Sequence, residues 1–271
     1  MKEEMLLSLL EAIFLGIVQG LTEFLPISSS GHLVLFQRLF GLEEGALTFD
    51  VLLHFGTLIA VFAVYWRDIV DMLRNPFGKF ARLIVVGAIP TAVIGFLFQD
   101  LFDELFSSGA TLGAEFVITG VIIWWADSAR RGTKGVREMG YGDALLVGTL
   151  QGAAILPAIS RSGLTIMGAL FRGLDREFAA KYSFLLSIPV ILGANVLELK
   201  DIVTGEAANA GTFGVKELLG MLAAAVAGYF AIKYMIRLII SKGMRMFAWY
   251  VWVLGGLILL DQLFTQTFFH F

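Results

Sequence analysis

The stretch GIVQGLTEFLPISSSGHLVLF, residues 16–36, decides how this chain is read. It is apolar enough for a bilayer, yet it carries Gln19, Glu23, three serines and His32. Ionisable side chains in hydrocarbon are costly and usually mark function. Pro26 interrupts any helix through the stretch, because the residue before a proline is pushed out of the α region. The serines that follow are favourable N-caps, so a second helix is predicted from about Gly31 and His32. The segment therefore reads as two short helices meeting at a polar turn, not as one spanning helix.

The remainder of the chain supplies the membrane context. Of 271 residues, 58% are hydrophobic and 16% charged, with a mean hydropathy of +0.81. Soluble domains are nearer half apolar and a quarter charged. Uncharged runs such as LIVVGAIPTAVIGFLF and MFAWYVWVLGGLILL approach the ~20 residues that cross a bilayer once their flanks are included. Cysteine is absent, which excludes a disulfide framework and a thiolate metal site. The acid-rich start MKEEMLLSLL lacks a signal-peptide cleavage pattern and reads as part of the mature chain. A single integral membrane domain over 1–271 is expected, with the membrane as partner and no nucleic acid.

Basic residues concentrate at 67–82, 127–142 and 233–245, which the positive-inside rule assigns to the cytoplasm. The acidic or mixed segments 42–50, 99–110 and 199–217 then lie outside. Six full crossings satisfy these sides, at about 50–66, 83–101, 111–126, 178–198, 216–236 and 246–264. Two hydrophobic stretches are left over, 5–41 and 143–172. Each has to enter and leave on one side, as a re-entrant helix–loop–helix whose turn is shielded by protein.

Those two stretches resemble one another. VQGLTEFLPISSSG (18–31) and LQGAAILPAISRSG (150–163) both open on Gln-Gly, carry a central proline and close on Ser-x-Ser-Gly, at an offset of 132 residues. Each is followed by three crossings, an odd number, so the second copy is inverted relative to the first. The predicted fold is an all-α polytopic membrane protein of two inverted-topology repeats, about 5–126 and 143–264, each a re-entrant hairpin plus three transmembrane helices. Broken helices at matching positions of inverted halves point to a binding site near the midplane.

Gln19 and Glu23 are four apart and share a helix face. In the second copy, Ser160-Arg161-Ser162-Gly163 opens a helix, with Thr165 one turn in. Two helix N-termini and a guanidinium converging on one point suit a phosphate. A carboxylate, hydroxyls, an imidazole and that arginine together suggest phosphoryl transfer to serine followed by hydrolysis. Serine needs an adjacent base, and either Glu23 or His32 could supply it. A carboxylate beside phosphate oxygens could also hold a divalent cation. Ser160-Arg161 echoes a motif of acid phosphatases, but the histidine they carry downstream is missing from TIMGALFRGLD (165–175).

Quieter readings apply elsewhere. Ser30 and Thr165 suit helix capping as well as chemistry, and His54 reads as structural or supporting. Asp50 either caps its helix or approaches the pocket from outside. Trp124, Trp125, Trp249 and Trp252 read as interfacial anchors. Arg172, Arg176 and Lys181 read as a cytoplasmic turn and His270 as a tail residue.

The first motif, QGLTEFLPISSSGH, resembles the signature of the undecaprenyl-diphosphate phosphatases, the bacitracin-resistance family, and PAISRSGLT resembles that family's second signature. The resemblance extends over essentially the whole chain. It implies hydrolysis of a polyprenyl diphosphate lipid to the monophosphate and inorganic phosphate, recycling the carrier for cell-wall synthesis and conferring bacitracin resistance. It implies a bacterial-type inner membrane, a pocket open to the outer face, and a divalent cation, Mg or Ca, with Glu23 and Gln19 as its ligands. By the same resemblance Ser29 is the nucleophile, His32 the acid–base partner and Arg161 the phosphate clamp. Ser28, Ser160, Ser162, Gly163 and Thr165 are phosphate-binding support. A second copy of the chain is a candidate partner. One departure stands out: Ala158 occupies the place of a family glycine, which matters if that place needs φ > 0. The rival reading is a lipid-phosphate or small-anion transporter or flippase, which would not require Glu23, Ser29 and His32 as a reacting set.

Overall fold

The computed structural model describes residues 8–41, 47–204, 214–241 and 243–269. Eleven α-helices occur in these residues: α1 Leu9–Phe24, α2 Ser29–Leu39, α3 Leu47–Arg74, α4 Lys79–Leu97, α5 Gln99–Ser108, α6 Leu112–Ser128, α7 Tyr141–Ala153, α8 Arg161–Phe171, α9 Arg176–Thr204, α10 Val215–Ser241 and α11 Arg245–Leu260. A short π-helical turn, Asp261–Thr265, prolongs α11. Among the described residues there is no strand, only a single bridge between Lys134 and Leu174. His270 and the acidic segments at 42–46 and 205–213 lie outside the described residues.

Local chemistry explains the helix starts. Ser8 and Glu11 form a reciprocal capping box at the head of α1. Ser28 caps α2 and Ser160 caps α8, each hydroxyl accepting from the N–H three residues on. Gly109, at φ 60°, ends α5 in the left-handed region that glycine tolerates.

Five helices are long and apolar enough to cross a membrane: Phe49–Arg74, Lys79–Leu97, Arg176–Leu197, Val215–Ser241 and Arg245–Thr265. The sixth expected crossing, 111–126, forms the 17-residue α6. At 1.5 Å per residue it reaches about 25 Å, a little short of a ~30 Å hydrocarbon core. The expected crossing 83–101 begins earlier, at Lys79, and breaks at Phe98 before α5. The two leftover stretches form helix pairs, α1 with α2 and α7 with α8. Each pair's second helix has 11 residues, so neither α2 nor α8 can span.

Glycine sets how these pairs seat. Helix α1 packs on α10, and α7 packs on α4. A Cβ at Gly16 would collide with the Gly220 carbonyl, and one at Gly148 with the Gly87 carbonyl. Gly20 lies as close to Ala224 and Gly228. Small residues four apart let membrane helices approach to backbone contact, where dispersion and weak hydrogen bonds replace the missing hydrophobic drive. Gly16 and Gly20 correspond to Gly148 and Gly152 at the same offset of 132.

The basic residues read as a cytoplasmic turn tie helix ends together. Arg172 Nε lies 2.5 Å from Asp143 Oδ1 and Lys134 Nζ 3.4 Å from Asp143 Oδ2. Arg176 donates to the Ile239 carbonyl at 3.1 Å, and Lys181 pairs with Asp68. Of the tryptophans, Trp125 and Trp249 are exposed, whereas Trp252 donates to the Val117 carbonyl at 3.0 Å and joins α11 to α6.

Candidate active site

The two hairpin turns, 25–28 and 154–160, meet in the interior. The Ser28 hydroxyl donates to the Pro157 carbonyl at 2.7 Å, and the Ser162 hydroxyl donates to the Leu25 carbonyl at 3.0 Å. The two accepting carbonyls are themselves 132 residues apart, so each turn is fastened to the equivalent point of the other.

Ser29, Glu23 and Arg161 come together at this junction. Ser29 Oγ donates to Glu23 Oε2 at 2.5 Å, and Arg161 Nη2 lies 2.5 Å from Glu23 Oε1. Gln19 Nε2 donates to Glu23 Oε2 at 3.1 Å. Glu23 is thus acceptor for a hydroxyl, an amide and a guanidinium at once, which makes its burial as an anion tolerable. The junction is not saturated, since Arg161 Nη1 and Gln19 Oε1 are buried with no hydrogen-bond partner. Buried unpaired polar atoms are rare, and a charged one calls for an explanation such as a missing ligand.

His32 faces elsewhere. Its Nδ1 lies 2.6 Å from the Ser28 carbonyl and its Nε2 2.8 Å from the Tyr250 hydroxyl. The Ser29 hydroxyl is on the carboxylate, so Glu23, and not His32, is the base in contact with it. Ser28 itself has φ 67°, one of two non-glycine residues in the left-handed region among those described. Such strain costs on the order of 1–3 kcal/mol and persists only where surroundings over-determine it. Here its hydroxyl, its carbonyl and the Gly31 N–H bonded to it are all engaged.

The second turn is held from α6, a helix outside both motifs. Glu115 Oε2 accepts from the Ala158 N–H at 2.6 Å, and the Thr119 hydroxyl donates to the Ala158 carbonyl at 2.7 Å while accepting from the Ser160 N–H at 3.0 Å. Ala158 is fully buried and not at positive φ, so its backbone does not require glycine. Its methyl packs at Gly31, where an added Cβ would come within 3.0 Å of it.

The remaining expected residues have structural partners. The Ser160 hydroxyl caps Gly163 at 3.1 Å. The Thr165 hydroxyl turns back to the Arg161 carbonyl at 2.8 Å and to Ser183 Oγ at 2.6 Å, away from the junction. His54 Nδ1 lies 2.8 Å from the Asp50 carbonyl one turn before it, and Asp50 accepts from Gln37 at 3.1 Å. Glu115, Thr119 and Tyr250 were not found from sequence. A buried glutamate in an apolar run, FVITGVIIWWA behind it, was the available signal for the first two; Tyr250 had none.

Comparison with known proteins places the chain among its relatives. The family model described as "Bacitracin resistance protein BacA" matches residues 12–257. An undecaprenyl-diphosphatase of Carboxydothermus hydrogenoformans is 52% identical over 252 residues, covering 93% of this chain and 97% of that protein. Undecaprenyl-diphosphatase 3 of Bacillus cereus is 48% identical over 259 residues, covering 96% and 99%. An undecaprenyl-diphosphatase of Halothermothrix orenii is 46% identical over 258 residues, covering 94% and 98%.

Proposed function

Because this chain belongs to the bacitracin resistance protein BacA family, we propose that it is a membrane phosphatase that hydrolyses undecaprenyl diphosphate to the monophosphate and inorganic phosphate. The observation that carries the reading is one carboxylate, Glu23, bonded at once to the Ser29 hydroxyl and to an arginine with a spare buried nitrogen.

In the first step Ser29 Oγ attacks the terminal phosphorus, its proton passes to Glu23, and the bridging P–O bond breaks to release the lipid monophosphate. Arg161 and the N–H groups at the heads of α2 and α8 stabilise the equatorial oxygens, the charge-directed part of catalysis. In the second step water attacks the phosphoserine and the Ser29 oxygen regains its proton from Glu23. The proton that water loses goes to His32 Nε2 and then to solvent, and inorganic phosphate departs. Glu23 and Gln19, whose Oε1 is buried and unpaired, would hold a divalent cation. Such a cation, Mg or Ca, would neutralise charge on the diphosphate.

The hairpins are read as re-entrant and inverted, with the pocket open to the outer face of the inner membrane. Support comes from the paired seating of α1 on α10 and α7 on α4, from the capping serines 132 residues apart, and from the carbonyls that accept the crossed serine bonds at the same spacing. Recycling of the cell-wall lipid carrier and bacitracin resistance follow from that activity. Duplicated broken helices alone would suit a lipid-phosphate flippase equally. The Ser29–Glu23 bond favours hydrolysis, because transport needs no activated hydroxyl. Phosphate release by purified protein in detergent tests this directly. Ser29→Ala is expected to lower it by about a thousand-fold or more; wild-type rates in that variant would remove the serine mechanism.

A further inference from the structure

His32 has both ring nitrogens engaged, and the partners decide its protonation. A carbonyl only accepts, so the nitrogen facing Ser28 O, Nδ1, carries the proton. The ring is 2% exposed and the nearest groups bonded to it are neutral, which favours the uncharged form. Neutral imidazole then has its lone pair on Nε2, and the Tyr250 O–H donates to it at 2.8 Å. The two rings lie nearly parallel, with 10° between their planes, and Phe116 closes a third side edge-on, centroids 5.3 Å apart. His32 is therefore fixed in tautomer and in aim by groups from three helices.

Tyr250 differs from the rest of the junction in its exposure. Glu23, Ser28, Ser29 and His32 are 2–8% exposed, whereas Tyr250 is 46% exposed on α11. Its hydroxyl thus lies between a sealed polar cluster and the outward face of α11, at the one nitrogen of His32 that can take a proton.

We infer that Tyr250 is a positioning residue of this site: with the Nδ1 proton held by the Ser28 carbonyl, the Tyr250 hydroxyl donates to the Nε2 lone pair, fixes the aim of the ring, and yields that lone pair to a proton during turnover. The turnover part rests on the phosphatase reading; the hydrogen-bond part does not. Nothing in either sequence motif points to this residue, because α11 carries neither.

The test is Tyr250→Phe, which removes one oxygen from a half-exposed ring and leaves the packing surface intact. Undecaprenyl diphosphate hydrolysis should lose about ten-fold in kcat, the scale of one hydrogen bond, with KM within about two-fold. Nitrogen NMR of the unliganded protein, with the His32 signal assigned by its loss in His32→Asn, should show the Nδ1–H tautomer in both proteins, with the Nε2 resonance moved in Tyr250→Phe to that of a nitrogen with no donated hydrogen bond. A kcat within about two-fold of wild type, or an unchanged His32 signal, overturns the inference. The NMR arm involves no turnover. Full activity in Ser29→Ala would therefore remove the serine mechanism and leave the Tyr250–Nε2 hydrogen bond standing.

Discussion

The turn at 25–28 and the turn at 154–160 start their second helices alike, with Ser28 capping Gly31 and Ser160 capping Gly163. The first residue of the helix is where they part: Ser29 in one, Arg161 in the other, again 132 residues apart. Glu23 and His32 have Ile155 and Leu164 as their counterparts in the second copy. In the proposed mechanism the first copy carries the reacting groups and the second supplies charge, with Ser29 and Arg161 at equivalent positions on two helix N-termini. Their backbones differ to match. Ser28 sits at φ 67°, while Ser160 sits at φ −70° and is braced from α6 by Thr119. Of the two turns, only the one beside Ser29, the proposed nucleophile, is strained, and the relaxed turn braced from α6 carries Arg161, the proposed clamp. Two similar turns can divide labour in this way through three exchanged side chains, at 23/155, 29/161 and 32/164.

That division can be broken most sharply at the clamp. Arg161→Lys keeps the charge but loses the fork that can hold Glu23 and a phosphate oxygen together. Phosphate release should fall about a hundred-fold, and a rate within about two-fold of wild type would mean that charge alone, not geometry, is what the second turn contributes. The tightness of the first turn is tested next by a matched pair. A Cβ at Gly31 would stand 2.8 Å from Phe116 Cζ, whereas one at Gly163 meets nothing nearer than 3.2 Å. Gly31→Ala should lower thermal stability in detergent by about 2 kcal/mol, and Gly163→Ala by less than about 1; equal losses would erase the contrast in packing. The smallest effect belongs to Ala158→Gly. With ordinary backbone at that position, glycine brings no relief and loses a buried methyl, so stability should drop by about 0.5–1 kcal/mol while phosphate release stays within about two-fold. A gain in stability would show that alanine is strained there.

The parts legible in the sequence are those encoded locally. The prolines, the capping serines and the pairing of Glu23 with Gln19 lie within single motifs, and Ser29, Glu23 and Arg161 do meet. The choice between Glu23 and His32 as the base touching Ser29 was not legible, since both lie within a turn or two of it along the chain. Only the path of the 25–28 turn, bent through Ser28's positive φ, puts the serine on the carboxylate and sends the imidazole toward α11. Glu115, Thr119 and Tyr250 belong to helices whose local sequence carries no motif, and their roles arise from tertiary packing alone. Gly20 and Gly152 were visible within the repeat, but what each one touches was not, and Gly16 and Gly148 lay outside the compared stretches. α6 was legible as an apolar run, though a 17-residue helix is marginal for crossing.

The seating of α1 on α10 sets an order of events during synthesis. The first hairpin is made early, yet the helix whose Gly220, Ala224 and Gly228 receive it begins only at Val215. At about 5–20 residues per second, a nascent chain waits on the order of ten to forty seconds between the two. Throughout that interval the hairpin bearing Gln19 and Glu23 has no α10 to close against and no Arg161 until the later half emerges. The hairpin that carries Glu23 and Ser29 is therefore completed only when α10 arrives to receive it.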